Sequence, residues 1–234
     1  LTEEIGNKMD LQKFILRHPF LYHLSDARNL SQIVKEGKLY SSVELAEKSS
    51  LDDEDKKKII LQRRPTHKLI PIEGVIYYIR DQRPVSEKNL LKCLTPGWTL
   101  ANFYLLINSR VFFWPTVKRL ESHFSRYRAE NPVIIRVSTE EILKINQNAE
   151  FCRLNSGATR SSSYLDGAPP VRGDGTFLSA DQYDRSVSSV AEVTFPGSCI
   201  LSKAIFVGNT PNGPWEKTLI ELDYSDGFDN DEKN

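Results

Sequence analysis

Glu192 is the one acid in SSVAEVTF (188–195), a stretch of small and β-branched residues. In a strand, Val190, Glu192 and Thr194 share one face, and Ala191, Val193 and Phe195 the other. Such neighbours bury the carboxylate, and a buried carboxylate is costly unless it is paired or does chemistry. An acid held there can stabilise a developing cation or take a proton. A salt bridge to one of the many arginines, or an exposed edge-strand face, explains it just as simply.

Other polar groups stand at chemically useful spacings. His23 lies in YHLSD, followed by Ser25 and then by Asn29 one helical turn on. Alone, His23 reads as a core histidine bonded to backbone; the trio reads as a ligand clamp at a strand end. Arg63 and Arg64 precede Pro65 at a helix end. There they complement the helix dipole, or form a fork for a pyrophosphate, which suits guanidinium geometry. RVFFWP (110–115) reads as core, or as an aromatic wall for a flat base. The window 110–136 has six bases (Arg110, Lys118, Arg119, Arg126, Arg128, Arg136) against Glu121 and Glu130, a net +4. That is a solvated helix face or a phosphate-tracking surface.

The elements that must position these residues are legible in outline. DLQKFILRH reads as an amphipathic helix capped by Asp10, and FLYHLS as a strand. SDARNLSQIVKEGKL gives a helix that Gly37 ends in the left-handed conformation. SSVELAEKSS is a helix. LDDEDKKKIILQRRP runs acidic to basic, as a helix stopped near Pro65. GVIYYIRDQRP gives a strand and turn; VSEKNLLKCL and GWTLANFYLLINS give helices. RVFFWP is a strand, TVKRLESHFSRYRAE a helix, PVIIRVS a strand and TEEILKI a helix. Residues 147–187 form a long Ser/Gly/Asp/Arg-rich loop, a length that is uncommon and often functional. SVAEVTFPGS, ILSKAIFVGN and KTLIELDYS complete the strands, before an acidic tail. Helices dominate the first half and strands the second, an α+β pattern without alternating βαβ units.

The totals exclude several classes. The chain has 234 residues, with 39% hydrophobic and 26% charged residues and no formal net charge, as expected of a globular protein whose nucleic-acid binding, if any, is local. Cys93, Cys152 and Cys199 are widely spaced without a CxxC pair, which argues against disulfides or a zinc site and for a cytoplasmic setting. No leader and no membrane-spanning run is visible. Walker, GxSxG, HExxH and post-strand GxGxxG motifs are absent.

Taken in order, these segments resemble the DarT-type ADP-ribosyltransferases, bacterial toxins that use NAD to modify nucleic-acid bases. YHLSDARNLSQIVKEGKLYS is similar to that family's opening H-x-T…N…I-L-x-x-G-L, with Ser25 at the threonine position. ILQRRP lies where the family places a catalytic, NAD-contacting arginine. INSRVFFWP resembles VPFYFAPRSPM, with Arg110 before the aromatics. VAEVTFPGS resembles the AE-x-L-V-P strand that carries the catalytic glutamate. The likeness covers most of residues 20–208 as scattered short motifs.

The resemblance implies a single α+β domain over 1–225, with an ADP-ribosyltransferase-like split β-sheet and an acidic tail at 226–234. It implies NAD as substrate, no metal, and catalysis by Glu192 with Arg63 or Arg64. His23, Ser25 and Asn29 would bind NAD beside these arginines. Arg110, Lys118, Arg119 and Arg126 would face the nucleic acid. Residues 155–187 would lie over the acceptor, a base of DNA or RNA, in a toxin or anti-phage role with a protein antitoxin and no membrane partner. The alternatives are transfer to protein, NAD hydrolysis by water, and a non-catalytic interaction module in which Glu192 is only a salt-bridge partner.

Overall fold

Short polar residues set the helix starts. Side chains of Asp10, Ser41, Asp52, Thr99, Thr116 and Ser138 each accept a hydrogen bond from the amide three residues on. Gly37, at φ 60°, closes another helix in the left-handed region, where a side chain would be strained. The computed structural model describes residues 8–159 and 170–220. The expected acidic tail, the end of the last strand and the middle of the long loop lie outside them.

In chain order the first elements are α1 (Leu11–Arg17), β1 (Phe20–Asp26), α2 (Leu30–Glu36), β2 (Lys38–Tyr40), α3 (Ser42–Lys48) and α4 (Asp53–Leu61). Next come β3 (Lys68–Ile72), β4 (Val75–Ile79), α5 (Glu87–Leu90), α6 (Leu100–Asn108), β5 (Arg110–Phe113) and α7 (Val117–Phe124). The rest are β6 (Pro132–Ser138), α8 (Thr139–Ile145), β7 (Glu150–Cys152), β8 (Leu178–Ser179), β9 (Glu192–Pro196), β10 (Ser198–Ile200), β11 (Ala204–Gly208) and β12 (Glu216–Leu219). Every strand pairing is antiparallel, which makes the fold α+β.

The strands form two four-stranded sheets, ordered β1-β6-β11-β12 and β5-β9-β7-β8, the hairpin β3-β4 and the long-range pair β10-β2. The larger sheets meet at one point, where Tyr22 and Trp114 exchange backbone hydrogen bonds of 3.0 and 2.8 Å. Their apolar faces share a core that includes Leu21, Ile135, Val137, Phe113, Val193 and Phe195. Phe113 and Phe195 meet edge-on at 5.5 Å, a favoured aromatic geometry. On the other face of β1 and β6, Leu24 and Ile134 pack under Leu120 of α7.

Strands are not confined to the second half of the chain: β1 to β5 precede residue 114. The pair β3-β4 carries Pro71 and exposes Leu69, so β3 lacks the alternation that marks a half-buried strand. The helix expected to run to Pro65 ends at Leu61, and Arg63 and Arg64 continue as extended chain. Arg64 precedes proline, which disfavours helical backbone there; its guanidinium nonetheless folds back onto the last turn of α4, donating to the Ile59 carbonyl at 3.2 Å, whereas Arg63 caps carbonyls of the β4-following segment instead.

Asn108, buried at the end of α6, ties that extended segment to its surroundings. Its Nδ2 donates to the carbonyls of Ile59 and Ile60 at 3.1 and 2.9 Å. Its Oδ1 accepts from Arg64 Nη1 at 2.7 Å and from Gln82 Nε2 at 2.8 Å. Removing the amide takes one acceptor from the buried Arg64 cation, leaves the Gln82 amide without that bond and strips its donor from the end of α4. Asn108→Ala is therefore expected to lower unfolding free energy by about 3 kcal/mol, read from the urea midpoint.

Candidate functional site

Beyond the Tyr22–Trp114 contact β1 and β5 separate, and His23 spans the gap. Its Nδ1 lies 2.8 Å from the carbonyl oxygen of Phe112. A carbonyl only accepts, so Nδ1 carries the proton and Nε2 is left as an acceptor. Burial, with the nearby Arg80 charge, pushes the imidazole pKa down to about 4, so it is neutral at physiological pH. The gap opens into a cavity of about 250 Å³, to which His23, Ser25, Arg64, Arg80, His123 and Glu192 all contribute.

Glu192 is the first residue of β9 and is paired with Cys152 of β7. Residues 190–195 are buried on both faces because β9 lies between β5 and β7. The carboxylate keeps 3% exposure, and Oε2 accepts from the Ser156 amide at 3.2 Å. Among the described residues no lysine or arginine forms an ion pair with it, which removes the salt-bridge reading. Burial raises its pKa to about 7, against the hydrogen bonding of Ser156 and the more distant charges of Arg172 and Arg119.

Arg64 supplies the opposite charge. It is 7% exposed, and its donors reach Asn108 Oδ1 and the carbonyls of Ile59 and Arg80. Among the described residues no carboxylate pairs with it, and burial lowers its pKa to about 10, so it stays protonated. Nη2 makes no hydrogen bond among the described residues and is not sealed from solvent. Arg80 is held the same way, by the carbonyls of Ser25 at 2.8 Å and Glu130 at 3.4 Å, without an ion pair. Beside them the His123 ring stacks on Trp114 at 4.5 Å; burial and the charges of Arg126 and Arg80 push its pKa to about 3. The lining thus carries guanidinium groups and neutral imidazoles, beside the carboxylates of Asp26 and Asp81, which pair with Arg28 and Arg83.

The structure brings His23, Ser25, Asn29, Arg64, Arg110, Arg126 and Glu192 to the cavity. It separates Arg63, whose guanidinium caps the carbonyls of Gln82 and Arg83 at 3.3 and 3.2 Å. Asn29 is occupied: its amide exchanges two 2.8 Å bonds with the Tyr78 backbone and donates to Ser25 at 3.3 Å. Its work is to fix β4 against β1. Arg110 is also engaged within the fold. Its guanidinium makes a bidentate pair with Glu150 at 2.6 and 3.1 Å and donates to Leu106 O at 2.7 Å. Of the α7 bases, Lys118 is exposed, while half-buried Arg119 makes its charge felt at His18, Tyr183 and Glu192. Those two do not line the cavity.

Sequence reasoning missed Arg80, His123, Ser156 and Arg172. Arg172 is buried and donates to the carbonyls of Pro170, Asn155, Ser156 and Ala158. It thereby holds the loop whose Ser156 amide meets Glu192. The cluster of His67, Asp81 and Glu130 has metal-ligating side chains within 4.8 Å of one another. Arg83 already bridges both carboxylates, at 2.7 and 2.6 Å, so the arrangement is an ion-pair network. No helix among the described residues is long and apolar enough to cross a membrane.

The chain belongs to a family of unknown function, DUF7002, whose model matches residues 19–203. That span contains His23, Arg64, Arg80 and Glu192. Neither a curated protein nor a solved structure matches it.

A raised carboxylate pKa has a thermodynamic consequence. Between the unfolded value of 4.5 and about 7 the folded state binds more protons than the unfolded state, so stability falls as pH rises. Glu192→Gln carries no such charge. The variant is expected to gain on the order of 2 kcal/mol over the wild type above pH 7 and to lose that advantage below pH 4.5, read as urea midpoints against pH.

Proposed function

We propose that the protein is an NAD-dependent ADP-ribosyltransferase whose acceptor is a nucleic-acid base. One observation carries the reading: an unpaired buried carboxylate, Glu192, and two guanidiniums without ion pairs, Arg64 and Arg80, line one cavity. A dinucleotide diphosphate supplies the anion that the arginines lack. The cleft between two antiparallel sheets, and the DarT-like order of His23, Arg64 and Glu192 along the chain, favour NAD in particular.

The chemistry follows from placement. Arg64, through Nη2, and Arg80 hold the diphosphate, and His23 Nε2 accepts from a ribose hydroxyl. The bond between ribose C1′ and the nicotinamide nitrogen breaks, and its electron pair leaves with neutral nicotinamide. The ribosyl cation is stabilised by ionised Glu192. A nitrogen of the acceptor base bonds to C1′ and gives its proton to the same carboxylate, whose pKa of about 7 suits a base near neutral pH. Ser156 holds that carboxylate in orientation.

The test is incubation with NAD and, separately, single-stranded DNA, duplex DNA, RNA and a protein lysate, read by mass spectrometry. The expected product is a single ADP-ribose on one nucleic acid, absent with Glu192→Gln. Arg64→Ala and Arg80→Ala are expected to weaken NAD binding at least about tenfold by calorimetry, the loss of one charge-assisted contact each. Label on protein alone moves the acceptor to protein. No label, no nicotinamide release and no NAD binding reject the reading.

A further inference from the structure

The first sheet carries a second, unassigned feature on the face away from the shared core. The register sets Tyr22 beside Arg136, Arg136 beside Phe206, and Phe206 beside Lys217, one row across β1, β6, β11 and β12. Phe20 and Trp215 flank the row. The Arg136 guanidinium carbon is 4.5 Å from the Phe20 and Phe206 ring centres and 4.6 Å from that of Trp215. Tyr22 and Trp215 are themselves 5.9 Å apart. α7 packs over Leu24 and Ile134, with Tyr22 and Trp215 at the margin of that cluster, and the row is left half-buried, with Lys217 exposed.

Arg136 is held by rings rather than by polar partners. Among the described residues no hydrogen bond or ion pair holds it, and its Nε is buried without a partner. Burial lowers its pKa. The rings therefore fix a planar cation in place while its outer donors remain unused. Such a fork matches the oxygens of a phosphate. Lys217 on the same row adds positive charge, and Glu216, one residue away, points to the opposite face of β12.

We propose that this face binds single-stranded nucleic acid, with a backbone phosphate on Arg136 and bases stacked on Tyr22, Phe206 and Trp215. The rings decide between a nucleic acid and an acidic peptide. A carboxylate peptide would use only the charges, whereas each base has a π-face for a ring. β1 is the end strand of its sheet and presents Tyr22 here and His23 to the cavity. A strand held on this face passes the edge of β1 beside the cavity, so the inference rests on the nucleic-acid reading for its biological use. It does not rest on NAD chemistry for its test.

The test is fluorescence anisotropy with labelled oligothymidine and oligouridine, without NAD. Salt-dependent binding is expected for the wild type, weakened about tenfold in Arg136→Ala with a salt slope lower by about one. Arg136→Lys keeps the slope but loses affinity. Phe206→Ala also weakens binding about tenfold and leaves the slope unchanged, as stacking requires. Thermal melts by circular dichroism establish that each variant is folded, and Arg136→Ala retains wild-type NAD affinity. The inference is overturned if the wild type binds neither oligonucleotide, or if folded Arg136→Ala and Phe206→Ala both bind like the wild type. It is equally overturned if polyglutamate competes as well as an oligonucleotide. Arg136-dependent oligonucleotide binding in a protein that ignores NAD would uphold this surface and reject the transferase.

Discussion

A guanidinium taken out of water must be held by something, and at Arg64 the holder is a neutral amide. Asn108 Oδ1 accepts from it at 2.7 Å, and backbone carbonyls take two more of its bonds. A carboxylate in that place would hold it more tightly and cancel its charge. The amide keeps the arginine rigid and leaves its field intact. Much of the local architecture serves this end. The end of α4 supplies one carbonyl, the residue after β4 supplies another, and Gln82 fixes the Arg64 backbone at 2.9 Å. The packing of α4 against α6 is thus also the support of a buried charge.

The same logic holds for the acid. Glu192 sits on the central strand of its sheet, where neighbours cannot rearrange to solvate it. Ser156 gives it one amide, and Arg172 holds Ser156 by binding four carbonyls rather than by reaching the carboxylate. Arg64 and Glu192 line one cavity but form no ion pair. Each is left unneutralised at a cost to stability. A ligand that is anionic at one end and develops positive charge at the other compensates both, which a self-paired site cannot do.

Local rules made part of this legible. The cap at Asp10, the glycine stop at Gly37 and the burial of Glu192 follow from short-range sequence. Arg63 and Arg64 could not be told apart because both precede Pro65; only the position of Asn108, 44 residues from Arg64, separates them. The partner of Arg110 was hidden because Glu150 is 40 residues away and reaches it only through the β5-β9-β7 pairing. Arg80 was hidden behind a strand whose partner, β3, lacks alternation. Counting charges in a window sees neither the partners that neutralise them nor the rings that leave Arg136 unpaired.

The division of charge also decides what pH can change. The cations that would hold an anion are arginines, and even Arg64, lowered to about 10, is protonated throughout the physiological range. His23 and His123, held at about 4 and about 3, stay neutral there. The groups that would hold an anion therefore keep their charge between pH 6 and 8. Glu192, at about 7, is the cavity group that titrates in that interval. Acidification would thus neutralise Glu192 while leaving the guanidinium charges of the cavity in place. In a site built this way anion binding and proton transfer respond to pH separately, because their charges are carried by different residues.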